Sequence, residues 1–285
     1  MITLHADSNF NKSKIDKLVG ENELLVSSIF YTLQGEGPYT GCPSVFIRLA
    51  GCNYGSKTKV CEMCDTSFEV KNAKKYTIDH LIDIVEGYFE KNNVKKKLIV
   101  VTGGEPCLQH NLLKFLYKYH HRNHCDYYSQ IETNGSQKEF FKTLLTSQED
   151  YIRVLRRDLR DSTCLFVCSP KASQYLKKYI PLSEETLEIC KYFKFLLSAD
   201  PDSIYHKLPE ELVERILHKP AFILVSPIAE YSKSYDGEIS SIWDDFLIDK
   251  EKTSRNYSYA SQYVMKHADI VDRLSLQTHL FTAIP

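Results

Sequence analysis

The chain has 285 residues, of which 43% are hydrophobic and 26% are charged, and its formal net charge is −1. A chain of this length can bury a substantial core, while a net charge near zero gives no electrostatic basis for binding nucleic acid or an anionic membrane. No apolar run reaches the ~20 residues that span a bilayer, and residues 1–20 lack the apolar segment of a signal peptide. We therefore expect a cytoplasmic protein with no nucleic-acid or membrane partner.

The N-terminal residues differ in pattern from the remainder of the chain. Residues 1–23 are polar and show no strong periodicity. We expect an N-terminal extension there, either a mobile arm or an accessory strand, followed by one domain over residues 24–285.

Beyond the extension, β-rich runs alternate with segments of helical periodicity. About six strand–helix units predict an α/β fold with a parallel sheet, and they are too few to close an eight-stranded barrel. The prediction is an open, partial TIM-like barrel, with residues 147–163, rich in Arg and Asp, as an exposed insertion. In chain order the predicted elements are strand 44–49, helix 77–90 with Thr77 as N-cap, strand 98–102, helix 112–120, strand 127–132, helix 137–146, strand 165–168, helix 184–190, strand 192–197, helix 210–218, strand 221–225, helix 257–267 and strand 273–276.

Several polar motifs fall at the ends of the predicted strands. Cys52, Gly103, Thr133, Ser169 and Ser226 each lie just past the carboxyl end of one of them. Ligands of parallel α/β sheets bind at that edge. We therefore expect these motifs to meet at one mouth of the barrel.

The cysteines provide the first chemical signal. There are nine, and Cys52, Cys61 and Cys64 lie in one short stretch, the last two spaced C-x-x-C. Three thiolates would leave one iron of a four-iron cluster open to a further ligand. A C-x-x-C pair is more often half of a zinc ribbon or a redox dithiol, so the spacing alone favours a cluster only slightly. The other six cysteines are expected to be reduced core residues.

Six motifs around this stretch are more specific. They read L-Q-G-E-G-P at 33–38, R-L-A-G-C at 48–52, C-D-T at 64–66, T-G-G-E-P at 102–106, S-P-K at 169–171 and L-Q-T-H at 276–279. In this order, across roughly residues 25–285, they resemble the 7-carboxy-7-deazaguanine synthase (QueE) family of radical S-adenosylmethionine (SAM) enzymes.

The resemblance implies an activity as well as a fold. The family contracts the ring of 6-carboxy-5,6,7,8-tetrahydropterin to 7-carboxy-7-deazaguanine with loss of ammonia, as a lyase of queuosine and 7-deazaguanine biosynthesis. It implies three cofactors: a 4Fe–4S cluster, SAM and Mg²⁺. It also implies the partial barrel, a homodimer and an electron donor such as flavodoxin or ferredoxin.

Site residues follow from the resemblance at the matching positions. The implied cluster ligands are Cys52, Cys61 and Cys64, and the implied Mg²⁺ ligand is Thr66. The implied SAM-binding residues are Met63, Cys64, Asp65, Gly103, Gly104, Glu105, Ser169, Pro170, Lys171, Ser226, Pro227, Ile228 and Ala229. The implied substrate-binding residues are Leu33, Gln34, Gly35, Arg48, Thr102, Gln277, His279 and Pro285.

The residue types suit these roles. Two glycines at 103–104 would let the backbone approach the methionine moiety closely, and Glu105 could accept a hydrogen bond from its ammonium. Arg48 suits bidentate binding of a carboxylate. Thr66 would be one Mg²⁺ ligand beside water and substrate oxygens, and in the family a terminal proline, here Pro285, presents its α-carboxylate to the substrate.

Two positions depart from the usual pattern and three alternatives stay open. Eight residues separate Cys52 from Cys61, more than in most radical SAM enzymes, and Ser226 stands where the family usually has Gln. The alternatives are another radical SAM enzyme such as a glycyl-radical activase, a non-catalytic zinc or iron–sulfur module, and a family member with lost or redirected activity.

Overall fold

A nine-stranded sheet organises the part of the chain that the structure, a computed structural model, describes. That part comprises residues 15, 17–54, 70, 73–122, 126–173, 176–230 and 248–278. The described strands are β1 (Glu23–Leu33), β2 (Pro43–Leu49), β3 (Lys74–Thr77), β4 (Lys97–Gly103), β5 (Tyr127–Thr133), β6 (Cys164–Cys168), β7 (Ala172–Ser173), β8 (Lys178–Tyr179), β9 (Tyr192–Leu197), β10 (Phe222–Pro227) and β11 (Arg273–Leu274).

The sheet is mostly parallel and open. Its strand order is β11-β10-β9-β6-β5-β4-β2-β1-β3, while β7 and β8 form a separate antiparallel pair. Strands β2, β4, β5, β6, β9, β10 and β11 run parallel, and β1 pairs antiparallel with both β2 and β3. The outermost described strands, β3 and β11, do not pair with each other. This confirms the α/β partial barrel predicted from the sequence.

Seven described helices accompany the sheet. They are α1 (Ile78–Lys91), α2 (Asn111–His121), α3 (Lys138–Thr146), α4 (Asp150–Arg160), α5 (Glu184–Ile189), α6 (Glu210–Leu217) and α7 (Lys250–Lys266). The first of them shows why the chain is helical here: Thr77 caps it by accepting from the amide of His80, and apolar residues recur at helical spacing. Its buried residues are Ile78, Leu81, Ile82, Val85 and Phe89. No described helix is long and apolar enough to cross a membrane.

Alternation along each strand separates the core from the barrel interior. In β2, Val45, Ile47 and Leu49 belong to the main hydrophobic core, so Phe46 and Arg48 face the opposite side. The same alternation places Gln130 and Glu132 of β5 and Lys194 of β9 on that opposite side. The interior face of the partial barrel therefore carries polar and charged side chains among apolar ones, whereas the layer between sheet and helices is apolar.

Most predicted elements are found within a few residues of their expected positions, and three regions differ. Strands β1 and β3 were not predicted, although β1 is the longest strand described. The prediction of an exposed stretch at 147–163 was wrong: helix α4 buries Ile152, Leu155 and Leu159 in the core. Helix α7 begins seven residues before the predicted start at 257.

The end of the N-terminal extension packs on the barrel. Ile15 is buried, and a Cβ added to Gly51 would lie 2.3 Å from its Cδ1. Of the remaining cysteines, Cys107, Cys164, Cys168 and Cys190 are buried, and the described cysteines form no disulfide with one another.

Candidate active site

The loop after β4 is locked onto the loop after β2. Gly104 N donates to Leu49 O at 3.0 Å, and Glu105 N donates to Gly51 O at 2.8 Å. A Cβ on Gly103 would lie 2.1 Å from Leu49 O, and one on Gly104 would lie 2.0 Å from Gly51 O. The two glycines are therefore required by the chain's own backbone, at the loop that leads into Cys52. Their approach to a bound ligand stays a prediction.

Glu105 joins this loop to the one after β5. It is fully buried, and its Oε1 accepts from Cys107 N at 3.0 Å and from Thr133 Oγ1 at 2.7 Å. Its Oε2 accepts from Asn134 N at 2.7 Å. Burial raises the pKa of this carboxyl, and these hydrogen bonds act in the opposite direction. The described contacts of Glu105 are with its own chain, and binding of a SAM ammonium stays a prediction.

Asn53, which was not predicted as a site residue, completes the connection. It is buried directly after Cys52, its Nδ2 donates to Ser136 Oγ at 2.8 Å, and its Oδ1 accepts from Asn134 Nδ2 at 3.1 Å. We call Asn53, Gly104, Glu105 and Asn134 the rim cluster. The sequence signal that could have identified Asn53 is its position: it is a polar residue directly after the candidate ligand Cys52.

Cys52 is the one predicted cluster ligand within the described residues. It is half-buried beyond the end of β2, and its Sγ accepts from Tyr54 N at 3.4 Å. Cys61, Cys64, Met63, Asp65 and Thr66 lie outside those residues, in which no group of three or more His, Cys, Asp or Glu side chains could hold a metal. A half-exposed thiol at the barrel mouth, followed in the sequence by two further cysteines, fits a three-thiolate iron–sulfur cluster.

The other predicted SAM residues lie at the ends of β6 and β10. Ser169 N donates to Thr133 O at 2.7 Å, and Lys171 Nζ donates to Ser169 Oγ at 3.1 Å. Ile228 N donates to Leu197 O at 2.9 Å, and its carbonyl accepts from Asn256 Nδ2. The remaining members of this set are Pro170, Pro227 and Ala229, all buried. These segments therefore lie at the carboxyl ends of the parallel strands, as do Cys52 and the rim cluster.

A second polar group lies on the interior face of the sheet, next to the rim. Lys194 of β9 forms ion pairs with Glu36 and, at 3.3 Å, with Glu132 of β5. Ser226 Oγ donates to Glu36 Oε1 at 3.2 Å, and Gln130 Nε2 donates to Glu132. We call these five residues the floor cluster. Glu36 comes from the β1–β2 turn, which therefore reaches across the interior to β9 and β10.

The charge of Lys194 is maintained by its neighbours. Its side chain is 8% exposed, and those of Glu36 and Glu132 are 18% and 16% exposed. Burial acts to lower the pKa of Lys194, but the carboxylates of Glu132 and Glu36 outweigh it and raise that pKa. A buried ammonium between two carboxylates stays charged, because the loss of its proton would leave two negative charges close together with no positive charge between them. With one Lys and two Glu, the floor cluster carries one excess negative charge.

The predicted substrate residues converge near this cluster. Gln34 Nε2 donates to Glu132 Oε1 at 3.4 Å, and Thr278 N donates to Gly35 O at 3.3 Å. The turn after Leu33 therefore meets the C-terminal segment that contains Gln277. Within the described residues, the buried Oε1 of Gln277 accepts no hydrogen bond.

Arg48 and Thr102 occupy one level of the interior. They are register partners on β2 and β4, and the Arg48 guanidinium lies 5.3 Å from the centre of the Phe30 ring. This placement agrees with a shared binding surface and does not test it. His279 and Pro285 lie outside the described residues.

Comparisons with known proteins agree on one family. No family model matches the chain. A 7-carboxy-7-deazaguanine synthase from Rickettsia prowazekii is 31% identical over 267 residues, which cover 92% of this chain and 89% of the relative. Another from Buchnera aphidicola is 32% identical over 202 residues, covering 58% of this chain and 88% of the relative.

A solved structure has the same fold. The crystal structure of QueE from Escherichia coli matches 96% of this chain and all of that one, with a TM-score of 0.55 and 19% identity. At this identity the likeness supports the barrel architecture, while the relative from Rickettsia supports membership at the level of sequence.

Proposed function

The chain belongs to the 7-carboxy-7-deazaguanine synthase family of radical SAM lyases, and from this we propose how its residues serve the family's ring contraction. The substrate is 6-carboxy-5,6,7,8-tetrahydropterin, and the product is 7-carboxy-7-deazaguanine, with ammonia released. The observation that carries the proposal is the 31% identity over 267 residues. The arrangement of the rim and the floor at one barrel mouth supports it.

Three cysteines would hold the 4Fe–4S cluster: Cys52, Cys61 and Cys64. When bound, the cluster and SAM supply the one-electron chemistry of the rearrangement. Cys52 is presented at the mouth by a loop that the rim cluster fixes on two sides. This loop therefore holds its thiolate in place without rearrangement of the barrel. Thr66 completes the proposal as a ligand of Mg²⁺, which would also bind substrate oxygens.

The SAM pocket is proposed at the edge formed by the ends of β4, β6 and β10. Backbone groups at Gly103–Glu105, Ser169–Lys171 and Ser226–Ala229 would bind it, together with Met63, Cys64 and Asp65 from the cysteine loop. Polar backbone at the carboxyl ends of parallel strands is where such ligands bind. The packing of these segments around Thr133 and Leu197 supports this pocket.

The substrate would lie in the barrel interior, beside the floor cluster. Arg48 would bind its carboxylate in a bidentate manner, beside Thr102 on the neighbouring strand. Leu33, Gln34 and Gly35 on one side and Gln277, His279 and Pro285 on the other would position the ring. An external electron donor of the flavodoxin or ferredoxin kind and a homodimer complete the proposal, both supported by the family resemblance.

The test is product formation by the reconstituted enzyme. The protein is loaded anaerobically with iron and sulfide, then incubated with SAM, Mg²⁺, a reductant and 6-carboxytetrahydropterin. We expect 7-carboxy-7-deazaguanine by mass spectrometry, and its loss in Cys61→Ala. Cys42→Ala is the matched control, because Cys42 lies outside the cysteine loop, and it should form product at the wild-type level.

Other outcomes would reject parts of the proposal. SAM cleavage without the deazaguanine product would retain radical chemistry and reject the substrate, as for a glycyl-radical activase. A protein that binds zinc and forms no cluster would reject the enzyme altogether.

A further inference from the structure

The floor cluster contains a residue for which the binding of SAM and the substrate carboxylate leaves no task. Lys194 lies in the middle of β9, on the interior face, and is 6% exposed. Two partly buried carboxylates from distant parts of the chain contact it. Burying an ammonium in an ion network of this kind is costly and adds little net stability compared with apolar packing. The contact of the network with Gln34, a residue proposed to position the substrate, points to a role in substrate binding.

The network borders the residues proposed to position the substrate. Glu132 accepts from the side chain of Gln34, and Glu36 is held by Ser226, at the end of β10. Gln130, fully buried in the same cluster, has an Oε1 that accepts no hydrogen bond from the described residues. On the interior face of the sheet, the floor cluster therefore presents the carboxylate oxygens of Glu36 and Glu132 and one further acceptor, the Oε1 of Gln130.

A donor-rich ligand edge matches this set of acceptors. The pyrimidinone ring of a pterin carries an exocyclic amine next to a ring N–H, so two donors point the same way. A carboxylate accepts such a pair in the same manner as it accepts from a guanidinium. If the amine is replaced by a carbonyl, as in a lumazine, an acceptor faces the carboxylates instead.

We propose that Lys194 is a positioning residue that holds Glu36 and Glu132 ionised and oriented as acceptors for the aminopyrimidinone edge, so that the floor cluster selects a 2-amino ring. The inference rests on the proposed function for the identity of the ring. Without the ammonium, two close carboxylates cannot both remain ionised at low cost. One would take up a proton, and its hydroxyl would then face the donors of the ligand.

The experiment compares two ligands on matched proteins. The oxidised, non-reacting analogues 6-carboxypterin and 6-carboxylumazine are titrated anaerobically into the cluster-loaded enzyme with SAM, and binding is followed by their fluorescence. Wild type should bind the pterin about tenfold or more tightly than the lumazine, the effect of one hydrogen bond to a charged group. In Lys194→Met the ratio should fall to about one.

Lys97→Met is the control for the loss of a strand lysine. Lys97 also pairs with a partly buried glutamate, Glu86, but it lies at the start of β4, away from the floor cluster. This variant should keep the wild-type preference for the pterin. Equal ligand preference in Lys194→Met and Lys97→Met would overturn the inference.

A second variant separates charge balance from misfolding. Glu36→Gln combined with Lys194→Met removes one carboxylate with the ammonium, so the cluster again carries one negative charge. The pterin preference should recover at least partly, because Glu132 then ionises without a like neighbour. If the double variant is folded by its thermal unfolding curve and still shows no preference, the inference is wrong.

Failure of this inference and failure of the proposed function give different results. If wild type makes the deazaguanine product but its ligand preference does not depend on Lys194, only the inference falls. If wild type shows the Lys194-dependent preference but makes no product, the ring contraction is rejected and the role of Lys194 stands.

Discussion

The rim of the barrel buries one carboxylate and the floor partly buries two, and the two regions stabilise them in different ways. In the rim cluster, Glu105 accepts from two backbone amides and one hydroxyl. In the floor cluster, Glu36 and Glu132 share the ammonium of Lys194. A carboxylate whose oxygens are bound by backbone amides and a hydroxyl holds loops together, whereas two carboxylates that share one ammonium remain partly exposed to the interior. The comparison assigns architecture to the rim and selectivity to the floor.

The largest effect is expected where the rim is most crowded. In Gly104→Ala the new methyl would lie 2.0 Å from Gly51 O and 3.0 Å from Cys52 Cβ, so the loop must move. We expect a loss of about 3 kcal/mol in the free energy of unfolding, with less iron bound after reconstitution. Urea unfolding of the cluster-free protein and iron analysis measure the two effects.

Gly87→Ala is its control. Gly87 lies within α1, and a Cβ there would meet no atom within 4 Å. This variant should raise the free energy of unfolding by about 0.5–1 kcal/mol, because alanine has the higher helix propensity. Equal changes in the free energy of unfolding for the two alanine variants would contradict the close packing of Gly104 against Gly51.

A smaller effect is expected at the hydrogen-bonded link of the rim. Asn53→Ala removes two side-chain hydrogen bonds and leaves the buried Nδ2 of Asn134 without the acceptor that Asn53 provides. We expect a loss of about 2 kcal/mol in the free energy of unfolding, again with lower iron retention. The exposed Asn92, whose Nδ2 donates to Tyr88 O, provides the control, since Asn92→Ala should cost below about 0.5 kcal/mol. Unchanged stability and iron content in Asn53→Ala would show that the link does not support the cysteine loop.

The smallest effect is expected at a buried ionisable group that lacks the carboxylate neighbours of Lys194. His120 is buried beside Ser129 of β5, no carboxylate of the described residues pairs with it, and burial lowers its pKa to about 4. The folded protein therefore resists protonation that the unfolded chain accepts below about pH 6.5, so stability falls as the pH drops through that value. Between about pH 7.5 and about pH 5.5 this residue should account for about 1 kcal/mol of lost stability.

His120→Gln is compared with wild type at both pH values, so that contributions from the other histidines cancel. The variant should lose less stability on acidification, by the amount assigned to His120. An identical pH dependence in the two proteins would mean that His120 is not held neutral by burial. It would also weaken the argument that Lys194 remains charged because it has partners.

The sequence predicts elements well where their signal is local. Strand β9 was expected at 192–197 and is found there, and Thr77 caps α1 as expected. Helix α4 was missed because its Arg and Asp content hides the spacing of Ile152, Leu155 and Leu159. Strand β1 was missed because its pairing is made by segments elsewhere in the chain.

The same reasoning separates the two halves of the site. Gly104 and Glu105 stand in a motif next to the strand end that they serve, so the sequence points to them. Lys194 lies in a strand of aromatic and aliphatic residues, and its partners are 158 and 62 positions away. Only the assembled sheet shows that these charges meet. Motif reading therefore finds Gly104 and Glu105 of the rim and Ser226 of the floor, and it overlooks Asn53 of the rim and Lys194 of the floor.

The turn between β1 and β2 connects parts of the sheet that lie far apart. Glu36 of this turn contacts Lys194 of β9 and Ser226 of β10, although β4, β5 and β6 separate β2 from β9 in the sheet. The outermost described strands do not pair, so this contact links the two halves of the open sheet across its interior. The curvature of the partial barrel therefore depends on the floor cluster as well as on strand pairing.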